Sequence, residues 1–121
     1  MKQPGPGHPI TLEPNPHRVR VVLGGVIVAE TTRALTLKEA SMPAVQYIPR
    51  EDAAMDLFDP TARTTHCPYK GDASYFTVTA GGLVADNAVW SYEKPFDAVK
   101  PIAGHLAFYS NKVDAIEELN G

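Results

Sequence analysis

The amino-acid sequence predicts a mainly β protein: a single compact domain of short antiparallel strands and hairpins with one or two short helices. Three observations carry this expectation. Two glycine pairs, Gly24-Gly25 and Gly81-Gly82, each sit between β-rich runs, and a tight hairpin turn needs the positive φ that glycine supplies. Apolar and polar residues alternate over 18–23 and 73–79, the period of a strand. Pro49, Pro60, Pro95 and Pro101 cut the rest into short segments. At 121 residues, the chain has room for one core without metal or disulfide staples.

Residues 1–17 are rich in Pro and Gly and read as an extended arm, with Ile10 and Leu12 able to pack on a domain spanning 18–121. Val19, Val21 and Leu23 alternate with Arg18, Arg20 and Val22, and Val26-Ile27-Val28-Ala29 returns after the glycines as the second half of a hairpin. Leu35-Thr36-Leu37 and Gln46-Tyr47-Ile48 are short strands. Pro49 opens a helix, with Glu51 and Asp52 in its first turn and Ala54, Leu57 and Phe58 on one face, and Pro60 ends it. A second hairpin runs from Ala73 through Gly81-Gly82 to Leu83-Val84-Ala85, and the strand continues over Ala88-Val89-Trp90-Ser91-Tyr92. Its Gly-Gly-Leu-Val-Ala-Asp-Asn echoes the earlier Gly-Gly-Val-Ile-Val-Ala-Glu-Thr, through duplication or through the commonness of such hairpins. A helical turn over 96–99 and a strand over 105–109 follow. Asn111 and Asp114 then suggest the cap of a terminal helix burying Val113, Ile116 and Leu119.

A formal net charge of −3, with basic residues scattered singly, argues against nucleic acid as a partner. No apolar run approaches the roughly 18 residues a membrane span needs, so no membrane partner is expected. One cysteine and an N-terminus without an apolar signal core point to the cytoplasm. The densest group of reactive side chains is Thr65-His66-Cys67-Pro68-Tyr69-Lys70-Gly71, which reads as a tight loop and a site.

Five blocks occur in order: Arg18-Val19-Arg20-Val21, Ala29-Glu30-Thr31-Thr32-Arg33-Ala34-Leu35, Thr65-His66-Cys67-Pro68-Tyr69-Lys70-Gly71, Ala88-Val89-Trp90-Ser91-Tyr92 and Ile102-Ala103-Gly104-His105-Leu106-Ala107-Phe108-Tyr109. Together they resemble the DUF427 family of small bacterial and fungal proteins of unknown function. The resemblance covers about residues 8–119 and implies a β-tent, or Mss4-like, architecture. Many proteins of that architecture hold zinc with two Cys-x-x-Cys pairs; a single cysteine cannot build that site. The family is sometimes labelled nucleotidyltransferase, but this chain has neither a Gly-Ser motif followed by paired aspartates nor a glycine-rich phosphate loop.

Cys67 is the candidate nucleophile, its thiolate favoured by Lys70 or His66, against the alternative of an unreactive residue filling a turn. Glu39 and His105 are the candidate proton carriers. Glu39 shares a strand face with Leu35 and Leu37 and needs a cationic partner such as Arg33 or Arg20; a structural pair with Arg33 is the expected arrangement. His105 is otherwise an ordinary strand histidine, and His66 points away from Cys67 because adjacent strand residues face opposite sides. Arg33, Lys70, Tyr75 and Trp90 are the candidate ligand-binding residues, suited to a small anionic or aromatic ligand. No histidine pair has ligand spacing, so neither metal nor cofactor is expected. The functions in play are an enzyme or binding protein with a pocket around Cys67, a non-catalytic recognition module, and a structural role, as monomer or homodimer.

Overall fold

The computed structural model describes residues 1–120, among which ten strands form three antiparallel sheets. In chain order the strands are β1 (Ile10–Asn15), β2 (Arg18–Leu23), β3 (Val26–Thr31), β4 (Ala34–Glu39), β5 (Val45–Tyr47), β6 (Phe58–Cys67), β7 (Gly71–Ala80), β8 (Leu83–Tyr92), β9 (Ala107–Phe108) and β10 (Ala115–Leu119). The sheets run β1-β4-β5, β10-β2-β3 and β6-β7-β8-β9. Ile48 and Leu106 exchange backbone hydrogen bonds of 2.8 Å in both directions, so the first sheet is stitched to the last beside β9. The mainly β expectation is therefore met.

Both glycine pairs make the expected hairpin turns, with φ of 59° and 77° at Gly24 and Gly25 and 56° and 80° at Gly81 and Gly82. The two turns abut each other. A Cβ on Gly81 would lie 1.9 Å from the Gly24 carbonyl oxygen, so only glycine permits the approach.

β7 and β8 are buried on both faces. Phe76, Val78 and Val89 face the β10-β2-β3 sheet and join Val19, Val21 and Val28 in an aliphatic core. Ala73, Tyr75 and Tyr92 face the other way, onto Leu37 and Tyr47 of the β1-β4-β5 sheet. The Pro/Gly-rich arm supplies β1, which pairs with β4 from Ile10 opposite Glu39 to Asn15 opposite Ala34.

Several local expectations fail for physical reasons. The helix expected from Pro49 to Pro60 is two single 3-10 turns, Arg50–Asp52 and Met55–Leu57. Between them Ala53 bridges Ala29 and Ala54 donates to the Val28 carbonyl at 2.9 Å, so β3 captures the backbone a helix would have used. Pro60 lies inside β6, opposite Phe76; β6 is an edge strand, where a missing N–H is tolerated. The expected terminal helix is instead β10, an edge strand laid on β2, and Asp114 accepts from the Gly24 N–H at 2.8 Å rather than capping a helix. The turn over 96–99 continues as two 3-10 turns within Asp97–Ile102, broken by a kink at Val99, and only Ala107–Phe108 of the 105–109 segment pairs as a strand. No helix among the described residues is long and apolar enough to cross a membrane.

Candidate functional site

The segment expected as a loop is mostly strand. Thr65, His66 and Cys67 finish β6, and only Pro68, Tyr69 and Lys70 turn before Gly71, at φ 112°, opens β7. Strand alternation therefore sorts the motif. Thr65 and Cys67 point inward with Tyr75, while His66 is exposed and bonds Asp72 Oδ1 at 2.6 Å. The partly buried Cys67 joins a layer made by Tyr47, Tyr75, Trp90, Tyr92 and Tyr109.

Within this layer Trp90 donates its Nε1–H to the Tyr47 hydroxyl at 3.1 Å, with the rings edge to face. Burial pushes the Tyr47 and Tyr92 phenols well above the ordinary tyrosine range. Thr65, Tyr75 and Tyr109 form a chain of hydroxyls, with oxygens 2.9 and 3.2 Å apart. Burial pushes the Tyr75 phenol up, but hydrogen bonds with Thr65 and Tyr109 and the charge of Arg63 hold it below its ordinary value. The Tyr109 phenol is pushed up to about 12, by burial and then by its bond to Tyr75.

Glu39 ends β4 with its side chain only 7% exposed. It takes hydrogen bonds from the Lys70 ammonium and from His8 Nε2, the latter at 2.7 Å. Burial pushes the carboxyl up, but those two partners outweigh it and hold the group below the usual carboxylate range. The His8 ring stacks on Tyr69, centroids 3.9 Å apart and 6° from parallel. Backbone bonds from Lys2 to Pro68 and from Ala40 to Pro9 fix the arm across the same turn. Glu39 does share its strand face with buried Leu37, as the alternation requires. Its expected partners are elsewhere: Arg33 pairs with Glu51 and Asp52, and Arg20 with Glu30.

The structure thus brings Cys67, Tyr75 and Trp90 into one layer and seats Glu39 and Lys70 at its margin, where the Lys70 ammonium lies 5.9 Å from the Tyr92 ring centre. Arg33 is exposed in a separate depression lined by Arg18, Glu30, Thr31 and Asp52. His105 lies with Arg50, Glu51 and Glu93, its Nδ1 3.2 Å from the Ala103 carbonyl oxygen. Three-dimensional placement adds His8 and Tyr109. A histidine in a Pro/Gly-rich arm carried no signal of its partner. Tyr109 ends the strand expected over 105–109, but the paired strand stops at Phe108, and nothing local in the sequence linked the Tyr109 hydroxyl to Tyr75.

A cleft of about 230 Å³ opens where the three sheets meet, lined by Val45, Gln46, Trp90, Phe108, Tyr109 and Ser110 among others. The Trp90 and Tyr109 rings stand 4.5 Å apart, tilted by 48°. Three or more His, Cys, Asp or Glu side chains do not gather at metal-binding distance among the described residues. No curated protein matches this sequence significantly. A family model does match, over residues 11–119, and on that match the chain belongs to the family described as a domain of unknown function, DUF427.

Proposed function

We propose that the protein is a non-catalytic binding module for a small aromatic ligand, held in the cleft at the junction of the three sheets. The observation that carries this is the fixed Trp90 ring: Tyr47 anchors its Nε1–H, and Tyr109 stands beside it at the cleft wall. A rigid aromatic wall with few polar groups is the usual construction of a small-molecule site. At about 230 Å³ the cleft falls below the ~300–1,000 Å³ of drug-sized pockets, which suits a ligand of one ring. Gln46 adds a polar point, because its amide oxygen already accepts from Asn15 and Thr36 and its NH2 remains as donor.

An enzyme built on Cys67 is the second reading, favoured by a partly buried thiol in the same layer as Tyr75 and Trp90. Its base is the weak point. Lys70 is engaged by Glu39, His66 by Asp72, and His105 lies by the Ala103 carbonyl. A nucleophile needs its base within hydrogen-bond reach.

Calorimetric titration with a panel of one-ring aromatic compounds separates the two. Cys67→Ser is expected to bind as the native protein does, and Trp90→Ala to lose at least tenfold in affinity. Loss of binding in Cys67→Ser with retention in Trp90→Ala would move the site to the thiol.

A further inference from the structure

Four of the five arginines are ion-paired: Arg18 and Arg20 with Glu30, Arg33 with Glu51 and Asp52, Arg50 with Glu93. Arg63 meets no carboxylate among the described residues, in a chain whose net charge is −3. Its guanidinium carbon instead stands 4.9 Å from the centre of the Tyr75 ring.

A built irregularity puts it there. Pro60 pairs with Phe76 and Thr64 with Ser74, so Thr61, Ala62 and Arg63 all lie opposite the single residue Tyr75. Such bulges bend a strand and re-aim its side chains. The bulge is pinned: Arg63 N–H donates to Thr61 Oγ1 at 3.2 Å, and that hydroxyl donates to Asn87 Oδ1 at 2.6 Å. Asn87, itself at φ 49°, donates its N–H to Thr77 Oγ1 at 3.1 Å.

Proton counting adds a donor. Thr65, Tyr75 and Tyr109 carry three hydroxyl protons and share two hydrogen bonds, so one proton is left for an outside acceptor. Of these three residues Tyr109 lines the cleft, and Lys112 places its ammonium 5.6 Å from the centre of that ring while bonding the Asp86 carbonyl, which adds positive charge beside Tyr109.

We infer that Arg63 and the hydroxyl chain form an oxyanion-recognising end to the aromatic cleft, so that the ligand is a one-ring aromatic compound bearing a carboxylate or phosphate. Arginine suits this because its planar fork of donors matches both groups. The inference rests on the cleft reading above, and its test distinguishes the two.

Trp90 is the sole tryptophan and lines the cleft, so tryptophan fluorescence comes from that one residue. Benzoate and phenyl phosphate are titrated beside neutral benzamide, against native protein and Arg63→Gln. In the native protein at least one anionic probe is expected to bind tenfold or more tighter than benzamide, and the tighter anion identifies the oxyanion. Arg63→Gln is expected to close that gap by weakening the anionic probe. Equal affinity for all three probes in native protein, or a gap that survives Arg63→Gln, overturns the anionic end and leaves the cleft standing. No binding by any probe overturns the cleft and the inference with it.

Discussion

Along β7 and β8, neighbouring residues serve two different interiors. Phe76, Val78 and Val89 meet an aliphatic core that includes Val19, Val21 and Leu106, all fully buried. Tyr75 and Tyr92, one residue out of phase, meet a layer with a chain of three hydroxyls, a thiol and, at its margin, a carboxylate neutralised by Lys70. The aliphatic side follows from burial alone, at ~25 cal/mol per Å² of apolar surface. The polar side does not, since a buried ion pair is often no better than well-packed apolar residues of the same volume. Stability therefore accounts for one face of the sheet, and the other retains chemistry that stability does not require.

The aliphatic side is broken most severely at its closing turns. Gly81→Ala adds ~1–2 kcal/mol for a left-handed backbone and ~1–3 kcal/mol for overpacking. Because the new Cβ would meet backbone at 1.9 Å, the upper part of that range is expected, about 4 kcal/mol in urea unfolding. Gly82 has a similar φ, 80°, but open space around it, so Gly82→Ala is expected to show the conformational part only. Equal costs at the two positions would mean that the abutting turns contribute nothing.

The polar side is broken next most severely at Lys70. Lys70→Met leaves Glu39 charged and buried beside His8 alone, and about 3 kcal/mol of stability at neutral pH is expected to go. Adding Glu39→Leu removes the stranded charge and is expected to recover most of the loss. A single variant as stable as the native protein would show that the ion pair is dispensable even when half of it remains.

What the sequence disclosed follows the same division. The hairpins and the strand alternation were legible because glycine pairs and period two are local signals. Two short apolar spacings were misread as helices, at 49–60 and 111–119. A dozen residues or fewer cannot distinguish a helix face from segments whose backbone is claimed by another strand, here β3 and β2. The alternation also sent His66 out and Glu39 in correctly. The identity of Glu39's partners was not legible, since His8 is 31 residues before it and Lys70 31 residues after it. The same holds for Arg33, whose acidic partners arrive on a 3-10 turn that was expected to be a helix.

The smallest effect separates the two faces by titration, because only the tyrosine side carries groups that ionise at high pH. Tyr92 and Tyr47 are pushed up by burial, so the unfolded chain loses those protons first. Their contribution is complete below the free phenol value of ~10 and is lost as the pH rises above it. At pH 10.5 each such tyrosine lowers stability by about 0.8 kcal/mol, the linkage expected half a unit above that value. Tyr92→Phe, compared with native protein by urea unfolding at pH 8 and pH 10.5, is expected to lose less stability over the interval by that amount. Tyr75 is held below its ordinary value, so its folded state ionises first and Tyr75→Phe is expected to shift the difference in the opposite direction. The same sign for both variants would mean that the Thr65–Tyr75–Tyr109 chain and Arg63 do not set Tyr75 apart from the rest of the layer.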